Sequence, residues 1–192
     1  MTISFGKKIP ITYCQIFDKE KKRFVGATCY KYDCNDKSDI KEIEKLGDEW
    51  RYINETLANM NRKIIRKNQG LSCDVAVFTL EKQNGETLGL CCAEDKEKAL
   101  EVNYIESKQD NKHKYVGQVL LASMGQEVLD NDSQRKIVIK NAVSSAYGFY
   151  EDICGFIEDR GSCDLFMPRE KIHRFLKQTK QRTHSPIINL KA

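Results

Sequence analysis

The chain has 192 residues, of which 40% are hydrophobic and 31% charged, a balance typical of one globular domain with its own core. Its 32 basic and 28 acidic residues give a net charge of +4, which by itself does not indicate a nucleic-acid-binding protein. No segment approaches the roughly 18 consecutive apolar residues of a membrane-spanning helix, so we expect no membrane-embedded part.

The eight cysteines form no CxxC pair and show no zinc-site spacing, so we expect no metal. Several stand in apolar runs such as GLCCA, which is typical of small buried core residues rather than disulfides. The N-terminus has no continuous apolar segment of the signal-peptide type. We therefore expect a reducing, cytoplasmic location, with export by a machinery that reads no such signal left open.

Two N-terminal strands are predicted at residues 11–17 (ITYCQIF) and 23–32 (RFVGATCYKY), joined by a lysine-rich exposed turn. A helix at residues 38–47 follows, with Ser38 as its N-cap and Gly47 as its C-terminal stop. A longer helix is predicted from about Asp48 to Lys67, because apolar residues recur there at helical spacing. The apolar stripe, which we interpret as core packing, consists of Trp50, Ile53, Leu57, Met60 and Ile64.

Three antiparallel strands are predicted next, at residues 73–82, 88–95 and 99–107. The first two are separated by QNGET, whose Asn-Gly pair is typical of a tight hairpin turn. A polar loop, KQDNKHK, then leads into a helix that begins near Gly117 and ends at about Leu129.

The remaining chain is predicted to form a buried strand at residues 135–143 and a short helix at residues 144–154, capped by its serines and ended by Gly155. A last strand at residues 163–170 leads into a last, basic helix.

A helix connects the predicted strands at residues 99–107 and 135–143, and strands joined by such a crossover are almost always parallel. The sheet is therefore predicted to be mixed, with an antiparallel first half and one parallel junction.

The segment KYVGQVLL, residues 114–121, starts a helix at glycine, a residue that weakens helices. One interpretation is that a ligand approaches the backbone at Gly117 so closely that a Cβ atom is excluded. The other is a plain turn without a ligand. Ligands of such sheets favour the carboxyl ends of strands beside a helix N-terminus, which indicates an anion site at Gly117.

The order of these elements resembles that of the GNAT acyltransferase superfamily over roughly residues 38–168. KHKYVGQVLL resembles the pyrophosphate loop of that family, and AYGFYEDICGF resembles the helix and turn that close with Gly-Phe. The resemblance implies one α/β domain over residues 1–192. Its mixed, mostly antiparallel sheet would have a splayed parallel strand pair, flanked by helices. Residues 1–35 and 169–192 would be an N-terminal strand extension and a basic C-terminal helix and tail.

Three positions depart from the family pattern. Lys112 stands in place of a glutamine or arginine, Tyr115 in place of the first glycine of the loop, and Val143 in place of an asparagine. Because tyrosine adopts a positive φ only at a cost, we expect the loop to have a different shape at its start.

The family resemblance implies acetyl-coenzyme A as co-substrate. The N–H groups of residues 113–118 would hold its pyrophosphate, and a backbone N–H of residues 104–106 would face the oxyanion. The implied coenzyme A contacts are Tyr104, Ile105, Glu106, Lys112, His113, Lys114, Tyr115, Val116, Gly117, Gln118, Ala146 and Phe149.

Two side chains are candidates for the proton transfers. Tyr150 matches the position of the general acid that is frequent in the family, and a phenol with its ordinary pKa of roughly 10 keeps its proton at neutral pH. Glu101 is predicted to be buried in mid-strand, where desolvation would raise its pKa towards that of a useful base. A water relay is the alternative to Glu101, and packing on the sheet is the alternative role of Tyr150.

The resemblance thus implies an N-acyltransferase that moves an acetyl group to a primary amine by direct attack. A protein lysine, a protein N-terminus, a small amine and an aminoacyl-tRNA all fit as acceptor, and a homodimer is compatible with the sequence. One alternative is a catalytically silent GNAT-like protein that binds coenzyme A or acts as a scaffold. Another is nucleic-acid binding through the basic segment at residues 169–184.

Overall fold

The structure, a computed structural model, describes residues 8–34, 36–49, 74–108, 112–130, 135–184 and 188–189. Ten strands of these residues form one mixed sheet. The strands are β1 (Ile9–Asp18), β2 (Arg23–Tyr32), β3 (Asp74–Lys82), β4 (Thr87–Lys96), β5 (Ala99–Ser107), β6 (His113–Lys114), β7 (Lys136–Ile139), β8 (Ile157–Glu158), β9 (Leu165–Met167) and β10 (Ile188–Asn189). Their order in the sheet is β10-β1-β2-β3-β4-β5-β7-β9-β8, with β6 paired to β1. The α-helices are α1 (Lys37–Glu49), α2 (Val116–Asp130) and α3 (Arg169–Arg182).

The N-terminal hairpin of β1 and β2 is continuous with the rest of the sheet, because β2 pairs antiparallel with β3. Its inward side chains, such as Cys14 and Ile16, are buried in the same hydrophobic cluster as α2. Both predicted N-terminal strands are confirmed, and they belong to the core that positions α2. Cys14 is buried, as are the other cysteines in the described ranges except Cys163, which is exposed.

Helix α1 begins and ends elsewhere than predicted. Its N-cap is Asp36 rather than Ser38, since Asp36 Oδ1 accepts the backbone N–H groups of Ser38 (2.8 Å) and Asp39 (3.2 Å). The helix continues through Gly47 to Glu49. Apart from Asp48 and Glu49, the longer helix predicted up to Lys67 lies outside the described residues, as does its apolar stripe.

Strands β3, β4 and β5 form the predicted antiparallel meander, and Gly85 in its first turn has a φ of +82°. A bulge at Asn103 interrupts β5, because Cys92 pairs with Tyr104 whereas the next residue, Ala93, pairs with Val102. The extra residue reverses the alternation of side chains along the strand. Ile105 therefore packs against the same core as Val102, and Tyr104 packs on the opposite face of the sheet.

The predicted parallel junction is confirmed between β5 and β7, from Ala99 opposite Lys136 to Val102 opposite Ile139. The Lys140 N–H still donates to the Val102 carbonyl (2.9 Å), but β7 ends at Ile139, earlier than predicted. Asn141 has a left-handed φ of +50°, which ends the extended backbone. Strand β5 continues to Ser107, paired with β4 but no longer with β7, so a gap opens between the two parallel strands.

Two glycines bring α2 close to its neighbours. A Cβ atom on Gly89 in β4 would lie 2.5 Å from Cγ1 of Val116, at the start of α2. A Cβ atom on Gly125 would lie 2.9 Å from Cγ2 of Ile172 in α3. Because neither position has room for a side chain, α2 packs tightly between the sheet and α3, with its N-terminus at the gap.

The segment after β7 forms a 3₁₀ turn, Ser144–Ala146, and a π-helix, Phe149–Cys154, instead of one regular helix. The predicted serine caps are wrong: Val143 precedes the turn and no side chain caps it. Gly155, with a φ of +83°, ends the π-helix as predicted.

Helix α3 follows β9 and buries Ile172, Phe175 and Thr179 against α2. Arg169 at its start donates to the Val128 (2.9 Å) and Leu129 (3.2 Å) carbonyls of α2, and its other basic side chains are exposed. The two-residue strands β6, β8 and β10 were not predicted, because they are too short to show a periodicity. Within the described ranges, no helix has both the length and the apolar character needed to cross a bilayer.

Candidate functional site

A cavity of about 640 Å³ lies where β5, the N-terminus of α2 and the π-helix meet. The structure brings most of the predicted coenzyme A contacts, and the predicted general acid Tyr150, to its wall. These are Ile105, Glu106, His113, Lys114, Tyr115, Val116, Gly117, Gln118, Ala146, Phe149 and Tyr150. The wall also contains residues that sequence reasoning missed, namely Lys19, Leu88, Ser107, Lys108, Ser145 and Ile153.

The N-terminus of α2 gives the cavity a positive end. The first hydrogen bond of the helix runs from the Val119 N–H to the Tyr115 carbonyl (2.9 Å), so the N–H groups of Val116, Gly117 and Gln118 precede it. No acidic residue stands in the first turn to neutralise the helix dipole. The three N–H groups are therefore suited to an anionic ligand.

The side chain of Gln118 supports the same conclusion independently. Gln118 is only 4% exposed and lines the cavity, yet its Nε2 has no hydrogen-bond partner among the described residues. A buried amide without an acceptor is costly. The structure thus provides a donor beside the helix N-terminus that an acceptor oxygen of a ligand would satisfy.

Tyr115, directly before α2, has a φ of +75°. We expected a tyrosine to avoid this left-handed conformation and the loop to change shape, and that expectation is wrong. A non-glycine residue in this region costs of order 1–3 kcal/mol and persists only where its surroundings enforce it. The loop therefore makes a left-handed turn at Tyr115, directly before α2.

Strand β6, directly before Tyr115, holds this residue in the left-handed conformation. Lys114 and His113 pair with Phe17 and Asp18 of β1, and the Lys19 N–H donates to the Lys112 carbonyl (2.8 Å). The His113 side chain is 5% exposed, with Nε2 lying 3.8 Å from Oδ2 of Asp18. This pairing clamps the residues before Tyr115 to the β1–β2 hairpin, and it places Lys19 at the cavity.

Asp18 itself is held by the turn that follows it. Its Oδ1 accepts the backbone N–H groups of Glu20 and Lys21, each at 3.0 Å. The pKa of Asp18 is lowered mainly by the hydrogen bond from the Lys21 N–H, and further by the nearby His113 and the hydrogen bond from the Glu20 N–H. Its carboxylate is therefore ionised at neutral pH. The hairpin end is thus a fixed support for β6.

The lysines near the loop are placed differently from the prediction. Lys112 does not line the cavity, since its Nζ lies 3.1 Å from Oε1 of Glu20. Lys114 does line it, and Lys19 and Lys108 add positive charge that the sequence did not reveal. The Lys108 ammonium is positioned by Glu86, whose Oε1 lies 2.9 Å away.

Gly117 is explained by its neighbour in the fold. A Cβ atom on Gly117 would lie 3.1 Å from Cζ of the Phe149 ring, and both residues line the cavity. The absence of a side chain therefore lets the π-helix approach α2 closely. This close approach of the Phe149 ring favours glycine at position 117.

Tyr150 lies where the large cavity meets a second one of about 170 Å³, and it lines both. It is 7% exposed, and its hydroxyl makes no hydrogen bond to the described part of the chain. Burial, with smaller effects of Cys91 and Cys154, raises the pKa of Tyr150 to about 12. The phenol therefore keeps its proton at neutral pH.

The second cavity opens into the gap between the parallel strands. Its wall consists of Val102, Asn103, Tyr104, Ile105, Ile139, Lys140, Asn141, Ala142, Val143 and Tyr150. The backbone of residues 104–106 therefore runs from the second cavity to the first, with Tyr104 at one end, Glu106 at the other and Ile105 between them.

Comparison with known proteins matches neither a protein-family model nor a curated protein sequence. Solved structures do match. A Desulfovibrio desulfuricans protein assigned to the GNAT acetyltransferase family has a TM-score of 0.54 at 12% identity, over 74% of this chain and 99% of its own. The spermidine/spermine N-acetyltransferase SpeG from Vibrio cholerae has a TM-score of 0.52 at 14% identity, over 77% of this chain and 98% of its own.

This chain has the GNAT fold. The mixed sheet, its single described parallel pair and the flanking helices agree with the predicted fold class. Within the GNAT fold of this chain, Tyr115 and Gly117 flank the start of α2, and the π-helix carries Phe149 and Tyr150 to the strand gap.

Glu101 is not placed as predicted within this GNAT fold. It is half-buried rather than buried, and it lines neither cavity. Its side chain alternates with those of Leu100 and Val102, which fill the core, so it points to the opposite face of the sheet. In the described ranges, no three His, Cys, Asp or Glu side chains form a group suited to a metal ion.

Proposed function

We propose that this protein is a coenzyme A-dependent N-acyltransferase that transfers an acetyl group to a primary amine by direct attack. The observation that carries the proposal is the position of Tyr150. A buried phenol, protonated at neutral pH and without a partner in the described residues, lies where two cavities meet at the strand gap.

The large cavity would hold acetyl-coenzyme A. The N–H groups of Val116, Gly117 and Gln118, with the Gln118 amide, would bind its pyrophosphate, and Lys19, Lys108 and Lys114 would add positive charge. The fit rests on Gln118 Nε2, which has no partner among the described residues, and on the first turn of α2, which contains no acidic residue. The bound thioester supplies an activated carbonyl carbon.

The chain's own groups would then act on the two sides of the reaction. A backbone N–H within residues 104–106 would stabilise the negative charge that develops on the carbonyl oxygen as the amine attacks. Tyr150 would donate its proton to the sulfur as the carbon–sulfur bond breaks. Burial raises the pKa of Tyr150, and it would also raise the pKa of a coenzyme A thiol in the same cavity. The pKa values of the proton donor, Tyr150, and of the thiolate that accepts the proton would therefore stay close to each other.

The attacking amine must also lose a proton. Glu101 lines neither cavity, so its role would require water molecules between its carboxylate and the amine. A water relay without Glu101 is the alternative that the geometry favours. The acceptor itself is an amine in the spermidine/spermine acetyltransferase SpeG. For this chain, a small amine, a protein lysine, a protein N-terminus and an aminoacyl-tRNA remain the candidates.

A second candidate function is a silent GNAT-like protein that binds coenzyme A without turnover. The observation that favours it is Lys112, which is ion-paired with Glu20 and does not line the cavity. Turnover separates the two candidates. Amine-dependent release of the coenzyme A thiol should accompany binding of acetyl-coenzyme A to the purified protein. Binding without release for any amine, including aminoacyl-tRNA and basic peptides, would favour the silent candidate.

A further inference from the structure

His113 and Asp18 form a buried pair beside the large cavity. His113 lines that cavity, and its Nε2 lies 3.8 Å from Oδ2 of Asp18, with both side chains only 5% exposed. The two residues stand opposite each other in β6 and β1, and the backbone N–H groups of Glu20 and Lys21 hold Oδ1 of the carboxylate, each at 3.0 Å. Backbone contacts therefore fix both members of the pair.

The turn after β1 surrounds this pair with further charges. Lys21 approaches the same carboxylate, with Nζ 3.7 Å from Oδ2 of Asp18. Lys112, directly before His113, is ion-paired with Glu20, since Nζ and Oε1 lie 3.1 Å apart. The ionised Asp18 carboxylate thus acts on both His113 and Lys21, and the other acidic residue of the turn is engaged by Lys112.

The wall of the large cavity carries more positive than negative side chains. Besides His113, its charged residues are Lys19, Lys108 and Lys114 against Glu106, and the first turn of α2 adds no acidic residue. Imidazole is the side chain whose ordinary pKa places its change of charge between pH 5 and 8. Protonation of His113 is therefore the step that changes the charge of this described wall near neutral pH.

Two opposing effects act on the protonation of a buried imidazole. Burial disfavours the charged form, whereas an ionised carboxylate nearby favours it. Helix α2 starts at Val116, three residues after His113, so an anion bound at its N-terminus would favour the imidazolium further. Proton binding to His113 and anion binding at α2 are then linked, and each strengthens the other by the same factor.

We propose that His113 takes up a proton when the pyrophosphate of coenzyme A binds at the start of α2, and that Asp18 is the positioning residue that makes the buried imidazolium attainable. The inference rests on the proposed coenzyme A site and adds a proton to its binding. Asp18 acts through His113 and needs no contact with the ligand. Affinity is highest in mildly acidic solution and falls as the pH rises through the titration of His113.

Dephospho-coenzyme A is the probe for this linkage. Its pyrophosphate diester keeps its charge between pH 5.5 and 8, whereas the 3′-phosphate of coenzyme A is a monoester that titrates at about pH 6. Calorimetric titrations near pH 7.2 in PIPES and in Tris, at one ionic strength, give the number of protons taken up, because the two buffers differ in ionisation enthalpy. We expect uptake of a fraction of one proton, and a dissociation constant about five- to tenfold higher at pH 8 than at pH 6.

His113→Asn removes the titrating group and keeps a polar side chain. Its proton uptake should vanish, and its dissociation constant should change less than about twofold between pH 6 and 8. At pH 6 it should bind dephospho-coenzyme A more weakly than the wild type, because the imidazolium is missing.

Asp18→Asn separates charge from structure. Its side-chain oxygen can still accept the Glu20 and Lys21 N–H groups, but the charge that favours the imidazolium is lost. The pH at which the affinity falls should therefore be lower in this variant by about one unit or more. A structural role alone would change the affinity by the same factor at every pH and leave the midpoint of the profile in place.

His184→Asn is the matched control. His184 is exposed, lines neither described cavity and packs its ring on Phe24 of the same hairpin, with 4.8 Å between the centroids. Its φ of +48° is a conformation that asparagine adopts readily. This variant should keep the proton uptake and the pH profile of the wild type.

The histidines can also be followed directly in the wild type, because the chain contains only three. Imidazole resonances in NMR spectra recorded from pH 5.5 to 8 give the titration of each ring, and His173→Asn and His184→Asn assign the other two. The His113 resonance should titrate at a higher pH with dephospho-coenzyme A than without it. This measurement decides the question even if His113→Asn or Asp18→Asn fails to fold.

The outcomes distinguish this inference from the proposed function. If neither dephospho-coenzyme A nor acetyl-coenzyme A binds the folded protein, the coenzyme A site and the inference are overturned together. Binding without proton uptake between pH 6 and 8, uptake that persists in His113→Asn, or a His113 titration that the ligand leaves unchanged overturns the inference alone. Uptake that disappears in His113→Asn, with a midpoint that moves to lower pH in Asp18→Asn, establishes it.

Discussion

Gly117 at the start of α2 and Phe149 on the π-helix are in such close contact that a Cβ atom on Gly117 would lie 3.1 Å from Cζ of the ring. A methyl group there must push the ring by a few tenths of an ångström, and the next residue along is Tyr150. The spacing between α2 and the π-helix therefore sets the shape of the large cavity.

Gly117→Ala should consequently stay folded but bind coenzyme A more weakly, and Gly117→Glu should abolish binding by adding bulk and negative charge at a helix N-terminus. Ligand that binds only the folded state raises the melting temperature. We expect acetyl-coenzyme A to raise Tm of the wild type, less so that of Gly117→Ala and not that of Gly117→Glu. Gly148→Ala, whose Cβ would meet only the Asp152 carboxylate at 3.4 Å, is the control. A wild-type shift in Gly117→Glu would place the ligand elsewhere.

Because the backbone at Tyr115 is left-handed, we expect a glycine variant at this position to be more stable than an alanine variant. At ordinary positions, glycine is less stable than alanine by about 0.5–1 kcal/mol, because it has more freedom in the unfolded chain. At a φ of +75° the order should reverse, with Tyr115→Gly more stable than Tyr115→Ala by about 1 kcal/mol. Both variants lose the same ring, so their difference in urea unfolding reports the backbone alone. Alanine at least as stable as glycine would refute the left-handed conformation.

Gln118 and Gln126 allow a matched test on one helix. Gln118 Nε2 is buried without a partner in the described residues, whereas Gln126 Nε2 donates to Asp130 Oδ1 (2.8 Å) at the other end of α2. Gln118→Leu removes a costly unsatisfied donor, so the free protein should be at least as stable as the wild type. Its affinity for coenzyme A by calorimetry should fall about tenfold, the value of one hydrogen bond to a charged group. Gln126→Leu should bind like the wild type, and equal affinities in the two variants would remove Gln118 from the site.

The lowered pKa of Glu86 predicts how the stability of the folded chain depends on pH. Hydrogen bonds from Lys82 (2.8 Å) and then Lys108 (2.9 Å) lower the pKa of Glu86 from 4.5 to about 2. Because the folded-state pKa is depressed, the carboxylate stabilises the folded chain above pH 4.5 and loses that contribution as the pH falls from about 4.5 towards 2.

Glu86→Gln should therefore lower the free energy of unfolding by about 1 kcal/mol at pH 7, a value that allows for solvent screening of this half-buried pair. The difference from the wild type should shrink as urea unfolding is repeated at pH 5, 4 and 3.5. A difference that stays constant over this range would mean that the lysines do not depress the pKa of Glu86.

Periodicity and turn chemistry were sufficient to predict most of the fold. Strands β2 and β5 were predicted to the residue, because their apolar runs are bounded by turn residues. The prediction of β7 was too long, since the left-handed turn at Asn141 leaves no periodic signal. The start of α1 was misplaced because Asp36 and Ser38 both cap helices well, and only the three-dimensional contacts distinguish them.

The candidate site was predicted where it depends on local sequence and missed where it depends on distant pairing. The start of α2 and the position of Tyr150 followed from motifs and were found at the cavity. Lys112 was assigned to the site and Lys19 was missed, because the pairing of β6 with β1 joins parts of the chain far apart in sequence. The same pairing enforces the left-handed backbone at Tyr115, which propensity alone opposes.

Single-turnover acetyl transfer by Tyr150→Phe tests the central claim most directly. The substitution keeps the ring, with its contacts to Phe149 (5.2 Å between centroids) and Phe156 (5.9 Å), and removes only the proton donor. With the protein saturated in acetyl-coenzyme A and an accepted amine, we predict a rate about a hundredfold or more below that of the wild type, with an unchanged dissociation constant for coenzyme A. The loss should shrink for acyl donors whose leaving thiol is more acidic. A folded Tyr150→Phe protein that binds coenzyme A normally and transfers acetyl at the wild-type single-turnover rate would contradict the account.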